Sequence, residues 1–354
     1  MSEKEPHKPK PEGEKLTPVS ELGEFGLIDH LTRNIRIQHP ETLAGVGDDA
    51  AVIDAGNKVI LLSTDLMVEG IHFDMVYTPL RHLGYKSVVV NVSDIAAMNG
   101  TPRQMTISFA ISSRFSVEAL DEIYEGILLA CTNYKVDLVG GDTSSSNKGL
   151  LISGAILGEA KKDEVVYRKG AGPGDLLCVT GDLGSAYLGL LVLEREKKVF
   201  EATPGIQPDL HGFDYQIGRL LKPEARTDIR NLLLGMRIQP TSMIDISDGL
   251  ASDVLHLCKH SGTGVKIFEE KIPIDESTRR MAFDFNIIPT VAALSGGEDY
   301  ELLFTVRQSE YEKIKDFAGV TIIGHMTPQE EGKWLITPEG KKVKLIAQGW
   351  DSFK

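Results

Sequence analysis

The stretch MIDISDG, residues 243–249, places two aspartates and a glycine at the end of a short apolar run. We predict a strand over Met243–Ile246 and a helix over Gly249–His260, so both acids lie near the point where a strand gives way to a helix. Apolar runs of strand length alternate with helical patterns on both sides of this stretch. The sequence therefore predicts a fold of the mixed α/β (α+β) class.

The neighbouring elements are recognised by their start and stop signals. A helix is predicted over Pro79–Met98, because proline favours the first turn of a helix. Ser116 is predicted to cap a helix that runs to about Tyr134. Alternating apolar residues around short turns predict hairpins formed by the strands Ala50–Asp54 with Lys58–Thr64 and Trp334–Ile336 with Val343–Ile346.

The chain of 354 residues is long enough for two domains of about 100–200 residues each. Residues 1–20 are rich in Lys, Glu and Pro and are predicted to be a disordered tail. The charged stretch Glu159–Glu164 lies near the middle of the chain. We therefore predict an N-terminal domain over residues 21–160 and a C-terminal domain over residues 161–354.

Composition restricts the possible partners and the compartment. The net charge of −13 argues against binding to nucleic acid or to an anionic membrane, since both favour basic surfaces. No apolar run approaches the ~18 residues of a membrane span, and the N-terminus lacks the apolar core of a secretory signal. The cysteines Cys131, Cys178 and Cys258 match no zinc spacing. We expect free thiols in the cytoplasm.

Acidic residues recur beside glycines or at the ends of predicted strands. The motifs are Gly47–Asp49, Ser63–Asp65, Asn91–Asp94, Gly140–Asp142, Asp245–Gly249 and Gly296–Asp299. Carboxylate, hydroxyl and carbonyl oxygens are the ligands that Mg²⁺ prefers. Several such acids in one cleft would repel one another, by roughly 4 kcal/mol for two charges ~4 Å apart near a surface. Converging acids would therefore imply bound cations.

Each motif alone has a structural alternative, because an aspartate beside a glycine most often makes a turn or caps a helix. Asp94 is different, since it lies inside an apolar helical pattern that includes Val88 and Ile95. No Walker phosphate loop is found, and the nearest approach, Gly84–Ser87, lacks the first glycine. The sequence also contains no nucleophile elbow and no protein-kinase signature.

Seven segments, taken in order, resemble the thiamine-monophosphate kinase family. They are ELGEFGLID (21–29), GDD (47–49), STD (63–65), NVSD (91–94), GGD (140–142), DISDG (245–249) and SGGEDY (295–300). This family belongs to the superfamily of aminoimidazole ribonucleotide synthetase and selenophosphate synthetase. The resemblance implies an N-terminal sheet domain that forms a homodimer and a C-terminal α/β domain that completes the active site. It also implies ATP-dependent phosphorylation of thiamine monophosphate to thiamine diphosphate, the last step of thiamine diphosphate biosynthesis.

The resemblance further implies roles for individual residues. The positions implied for several Mg²⁺ ions are Asp49, Ser63, Thr64, Asp65, Asp94, Asp142, Asp245 and Asp248. The positions implied for ATP are Gly141, Asp142, Arg168 and Ser247, and those implied for thiamine monophosphate are His72, Glu298 and Trp350. Asp48 adjoins an implied ligand, and its own role stays open.

The absence of a general-base motif agrees with this chemistry. The acceptor would be a phosphate whose second pKa is ~6, so it is already deprotonated at neutral pH. Structural alternatives stay open for Arg168 as a solvated charge, His72 as a structural residue, Glu298 as a turn acid and Trp350 as a hydrophobic plug. Two other functions also stay open: a sister synthetase of the same superfamily, and a non-catalytic nucleotide or Mg²⁺ sensor.

Overall fold

The computed structural model describes residues 21–347. Residues 21–36, with helix α1 (Gly23–Thr32), belong to one compact unit, and a second compact unit begins at Ile37. The predicted disordered tail 1–20 and the predicted substrate residue Trp350 lie outside the described residues.

The first half of the second unit is built on a six-stranded sheet. Its strands are β1 (Thr42–Ala44), β2 (Ala51–Asp54), β3 (Val59–Val68), β4 (Thr101–Ile111), β5 (Asp137–Ser145) and β6 (Leu151–Ala160). They lie in the order β1-β2-β3-β6-β4-β5, and only β4 and β5 run parallel. The helices of this half are α2 (Leu80–Ala97) and α3 (Val117–Tyr134).

Helix α2 is buried along almost its whole length. Its apolar side chains, such as Val88, Val92 and Ile95, share a core with the inward residues of β3 and β4. The opposite face of the sheet is more open, since Leu62 and Leu66 of β3 are exposed. A helix enclosed in this way has few positions for charge, so its buried polar residues require an explanation.

The second half is built on a seven-stranded sheet. Its strands are β7 (Leu176–Thr180), β8 (Ser242–Asp245), β9 (Thr263–Phe268), β10 (Leu302–Val306), β11 (Val320–Pro328), β12 (Lys333–Ile336) and β13 (Lys342–Lys344), in the order β13-β12-β9-β11-β7-β10-β8. The helices are α4 (Ser185–Ala202), α5 (Asp214–Leu221), α6 (Thr227–Gly235), α7 (Leu250–Ser261), α8 (Glu276–Asp284), α9 (Pro289–Ser295) and α10 (Tyr311–Ile314). Strand β10, which lies between β7 and the edge strand β8, is buried at every position.

The mixed α/β class is confirmed, and so are both predicted hairpins, which appear as the pairs β2–β3 and β12–β13. Ser116 caps α3 as predicted, because its hydroxyl accepts a hydrogen bond from the Ala119 amide. The local sequence predicts a strand over Asp137–Val139 only, which is too short, since β5 continues through the GGD motif to Ser145. The domain boundary predicted after residue 160 stays a prediction; β6 ends at Ala160.

Within residues 21–347, no helix combines the length and apolar character that crossing a bilayer requires. The three cysteines are buried free thiols, as the sequence predicts.

Candidate active site

Asp94 lies in the last turn of the enclosed helix α2, which packs against β8 of the seven-stranded sheet. It meets Asp49, from the loop between β1 and β2, and Asp245, the last residue of β8. One carboxylate oxygen from each of the three acids lies within 4.8 Å of the others. The structure therefore brings together acids that are nearly 200 positions apart in the sequence. We call Asp49, Asp94 and Asp245 the acid cluster.

The acid cluster is held by hydroxyl groups next to it in the motifs. Ser63 of β3 donates a hydrogen bond to Asp94. Ser93 of α2 donates to Oδ2 of Asp245 at 2.7 Å, and so connects the NVSD motif directly to the DISDG motif. These hydrogen bonds fix the orientation of the Asp94 and Asp245 carboxylates and add hydroxyl oxygens to the surroundings of the cluster.

The electrostatic balance within the cluster is unfavourable without added positive charge. Burial, followed by the charges of Asp65 and Asp245, raises the pKa of Asp94 well above its ordinary value. Burial, followed by the charge of Asp49, raises the pKa of Asp245 to about 7. Carboxylates in this state bind protons or metal ions, because either relieves the repulsion.

Arg168 is the cation that contacts the cluster. Its guanidinium donates to both carboxylate oxygens of Asp49, at 2.8 and 3.2 Å. Its backbone amide donates to Oδ1 of Asp48 at 3.0 Å, so the two neighbouring acids hold the same arginine. Burial and the adjacent Asp49 raise the pKa of Asp48 to about 6. Arg168 is thus a paired residue and not the solvated charge that the sequence left open.

The predicted metal residues on β3 do not all face the cluster. Ser63 and Asp65 lie on one face of the strand, and Thr64 lies on the other, as the two-residue period of a strand requires. The Thr64 hydroxyl donates to the backbone carbonyl of Gly154 at 2.7 Å. Burial, followed by the charges of Glu298 and Asp49, raises the pKa of Asp65 to about 6. Asp65 is therefore an electrostatic neighbour of the cluster, whereas the Thr64 side chain is turned away from it.

The junction between β8 and α7 supplies further acids. Burial, followed by the charges of Asp248 and Asp245, raises the pKa of Asp253 well above its ordinary value. Asp253 is only 2% exposed, and its Oδ2 has no hydrogen-bond partner in the described part of the chain. Asp253 was not predicted from the sequence as a site residue. It lies on the first turn of α7, four residues after Gly249, and is therefore close to the DISDG motif.

The segment GGEDYE, residues 296–301, brings Glu298 to the cleft. Its backbone is unusual, because Glu298 and Tyr300 both have left-handed φ angles, of 60° and 51°. Their amides donate to the carbonyls of Ser247 (2.7 Å) and Ile246 (2.9 Å). A Cβ on Gly297 would lie 2.4 Å from the Ser247 carbonyl oxygen, so glycine is required at that point. The acidic segment is thereby docked on the DISDG motif.

Alternate residues of this segment have different surroundings. Glu298 forms an ion pair with Lys86 of α2, and burial followed by the charges of Glu298 and Asp65 raises the pKa of Tyr300. Asp299 instead accepts hydrogen bonds from the Gly184 amide, at 3.0 and 3.1 Å. Glu301 pairs with two arginines, Arg219 at 2.9 Å and Arg226 at 2.7 Å. The side chains of residues 298 and 300 thus interact with residues of the cleft, whereas those of residues 299 and 301 anchor the segment to its surroundings.

Three other predicted residues lie apart from the acid cluster. Gly141 and Asp142 are exposed positions on β5, at one edge of the six-stranded sheet. A Cβ on Gly141 would lie 1.8 Å from the Ile107 carbonyl oxygen, so packing against β4 also requires this glycine. The ring Nδ1 of His72 accepts a hydrogen bond from the Val68 amide at 3.0 Å, which gives the histidine a structural partner.

Lys86 and Tyr300 also belong to the site, although the sequence motifs did not predict a role for either residue. Lys86 is 4% exposed and lies in the GYKS segment that was considered only as a failed phosphate loop. A lysine within an apolar helical pattern could have suggested a buried ion pair, since lysine is rarely buried unless it is paired. The finished arrangement is a buried, oxygen-rich cleft with a fixed arginine, which suits divalent cations and phosphates.

Comparison with known proteins identifies the family in both halves. Residues 47–160 match the AIR synthase related protein, N-terminal domain, and residues 172–335 match the AIR synthase related protein, C-terminal domain. Thiamine-monophosphate kinase of Aquifex aeolicus is 35% identical over 95% of this chain and 99% of its own. Thiamine-monophosphate kinase of Bacillus subtilis is 32% identical over 94% of this chain and 100% of its own.

Solved structures give the same result. The structure of AaThiL complexed with AMPPCP and TMP superposes with a TM-score of 0.80 at 34% identity, covering 95% of this chain and 99% of that chain. The hydrogenase maturation protein HypE in complex with ATP is 17% identical with a TM-score of 0.66, and shares the fold alone. The chain therefore belongs to the thiamine-monophosphate kinase family of AIR synthase related proteins.

Proposed function

We propose that this chain transfers the γ-phosphoryl group of ATP to the phosphate of thiamine monophosphate, which gives thiamine diphosphate and ADP. The observation that carries the proposal is the acid cluster, in which Asp49, Asp94 and Asp245 from three distant motifs converge within 4.8 Å. The likeness to AaThiL complexed with AMPPCP and TMP supports both substrates.

The donor set of the cluster fits magnesium. It consists of hard oxygen ligands, and the pKa values of Asp94 and Asp245 are raised. One acid beside it, Asp253, has an oxygen without a hydrogen-bond partner in the described chain. We assign the Mg²⁺ ions to Asp49, Ser63, Asp65, Asp94, Asp142, Asp245 and Asp248, and to Thr64 through a group other than its bonded hydroxyl. Bound Mg²⁺ would neutralise the phosphate charges of the two substrates.

ATP is assigned to Gly141, Asp142, Arg168 and Ser247. Arg168 supports this assignment best, because its planar fork already lies in the acid cleft and is suited to phosphate oxygens. Asp49 and Asp48 hold the arginine in one orientation, so little side-chain entropy would be lost when a phosphate binds.

Thiamine monophosphate is assigned to His72, Glu298 and Trp350. Glu298 supports this assignment best, since a carboxylate can accept hydrogen bonds from the amino group of the substrate's pyrimidine. An aromatic ring such as that of Trp350 could stack on the pyrimidine or attract the cationic thiazolium.

The transfer itself requires positioning more than acid–base chemistry. An oxygen of the substrate phosphate, deprotonated at neutral pH, forms a bond to the γ-phosphorus of ATP. The bond between the γ-phosphorus and the β–γ bridging oxygen breaks, and ADP leaves with the electron pair. We propose an in-line geometry for this displacement. No residue of the chain is then needed as a general base.

We also propose a cytoplasmic homodimer that buries the open face of the six-stranded sheet. Leu62 of β3 and Leu157 of β6 are cross-strand neighbours, and both are 40% exposed; Leu66 is 52% exposed. Exposed aliphatic side chains grouped on a sheet face mark interaction sites. Leu66→Glu should convert a dimer to a monomer, as measured by light scattering; an unchanged mass would exclude this face.

The experiment that tests the function is product formation with ATP, Mg²⁺ and thiamine monophosphate, with free thiamine as a parallel substrate. We expect thiamine diphosphate from the monophosphate only, with one ADP released per product. Turnover of free thiamine would show that an alcohol can serve as the acceptor, and would contradict the proposal that no general base is needed. ATP binding without product would point to a sister synthetase of the superfamily.

A further inference from the structure

Lys86 is a buried cation beside the cleft residue Glu298. It lies on α2 two turns before Asp94, and only 4% of its surface is exposed. Its ammonium forms an ion pair with Oε2 of Glu298. Removing an ammonium group from water is costly, so a buried lysine persists where a specific partner holds it. The partner here belongs to the other half of the chain, more than 200 residues further along.

Glu298 is held at both carboxylate oxygens. Lys86 contacts Oε2, and the Tyr300 hydroxyl donates to Oε1 at 3.4 Å. The backbone of Glu298 has a φ of 60°, and its amide is bonded to the Ser247 carbonyl. Residues with strained backbone persist where their surroundings fix them, and such residues concentrate at ligand sites. The Glu298 carboxylate is thus presented in one orientation.

Lys86 also balances the acids that surround Glu298. The charge of Glu298 contributes, after burial, to the raised pKa of Asp65, so the two carboxylates repel each other. Without a cation beside it, repulsion from Asp65 would push the Glu298 carboxylate out of this position. A displaced carboxylate would no longer present its oxygens to a hydrogen-bond donor on the substrate.

We propose that Lys86 is a positioning residue that holds the Glu298 carboxylate in place as the acceptor for the amino group of the substrate's pyrimidine. Lys86 would then control recognition of the organic part of the acceptor substrate, and neither ATP binding nor the transfer step. This inference rests on the proposed function, because it takes thiamine monophosphate as the acceptor.

The test compares Lys86→Met with Lys86→Arg by steady-state kinetics for both substrates. Lys86→Met should raise the thiamine monophosphate KM at least about tenfold, which corresponds to ~1.4 kcal/mol, while the ATP KM changes less than about threefold. Lys86→Arg should recover most of the loss, because it keeps the charge. Lys197→Met is the matched control, since Lys197 also pairs with an acid, Asp74, outside the cleft. We expect it to leave both KM values unchanged.

A parallel rise in both KM values, or a fall in kcat at an unchanged thiamine monophosphate KM, would overturn the proposal. If Lys86→Met does not fold, the double variant K86M/E298Q removes both charges and restores the balance. Its thiamine monophosphate KM should equal that of E298Q alone, and additive effects of the two changes would contradict the inference. A wild-type protein that neither binds nor phosphorylates thiamine monophosphate would overturn the proposed function, whereas an active wild type with an unshifted KM in K86M would overturn only this inference.

Discussion

Replacing Asp94 by asparagine should make the metal-free protein more stable while it weakens metal binding. Asp94 carries one of three carboxylates that lie within 4.8 Å of each other, and Asp65 adds a fourth nearby charge. Asparagine has the same shape but no charge, so Asp94→Asn removes repulsion without leaving a cavity. The Ser63 hydroxyl can still donate to the amide oxygen.

The size of the effect follows from Coulomb's law. Two full charges 4.8 Å apart interact by about 3–4 kcal/mol at an effective dielectric constant of about 20. The raised pKa of Asp94 reduces the repulsion that the substitution can remove, so we expect a net gain of only ~1–3 kcal/mol. At roughly 2–4 °C per kcal/mol for a domain of 150–250 residues, the melting temperature should rise by roughly 2–12 °C.

The pH dependence has a definite sign. The folded-state pKa values of Asp65 and Asp245, about 6 and about 7, lie above the ordinary aspartate value of about 3.9. The folded state therefore binds more protons than the unfolded state does. In the metal-free protein, protonation of Asp65 and Asp245 contributes stability that is fully present below about pH 4 and is lost as the pH rises through 6 and 7. The difference between Asp94→Asn and the wild type should be small near pH 4 and largest above pH 7.

Thermal unfolding in a chelator and in excess Mg²⁺ measures both effects. Mg²⁺ should stabilise the wild type strongly and Asp94→Asn weakly, since a ligand that binds only the folded state raises its stability. Asp121→Asn is the control, because Asp121 is an exposed acid on α3. If Asp94→Asn melts below the wild type in the chelator, or gains as much from Mg²⁺ as the wild type does, the repulsive metal site is refuted.

Three further changes probe other parts of the molecule. Glu301→Gln should lower the free energy of unfolding by about 2–4 kcal/mol in urea titrations, because it removes the buried charge that pairs with both Arg219 and Arg226; a loss below about 1 kcal/mol would contradict this. Gly141→Ala should cost about 1–3 kcal/mol in the same titrations, since the new Cβ would lie 1.8 Å from the Ile107 carbonyl oxygen, and an unchanged midpoint would show that β5 can shift. Trp350→Ala should raise the thiamine monophosphate KM roughly three- to tenfold, as expected for loss of an aromatic contact, and equal effects on the ATP KM would indicate a structural plug.

Local signals were sufficient for much of the fold. The predicted strand Met243–Ile246 and helix Gly249–His260 agree with β8 and α7 within one residue at each end. Helix α8 and the full length of strand β5 were not predicted, because the local sequence favours neither of them. Helix α8 buries only Thr278, Met281 and Ala282, so its apolar pattern is weak. Strand β5 continues through two glycines because parallel pairing with β4 holds it there, which local propensity does not reveal.

The site was harder to predict than the fold. The motifs indicate which acids matter, but their convergence depends on the packing of α2 against β8, which brings Asp94 to Asp245. Side-chain direction also required the structure, since Thr64 faces away from Ser63 and Asp65. The ion pair of Lys86 with Glu298 joins positions in separate halves, and no local pattern specifies such a partner.

The alternating surroundings of residues 298–301 have a consequence for how this chain can change in length. Inserting or deleting one residue in the segment would break the match between the two sets of partners. If Glu298 kept its ion pair with Lys86, Glu301 would be shifted away from Arg219 and Arg226, and if Glu301 kept its arginines, Glu298 would be shifted away from Lys86. Loops usually tolerate such changes, but here a single-residue indel would disturb binding and folding together. We expect the spacing between Gly297 and β10 to be invariant among functional variants of this protein.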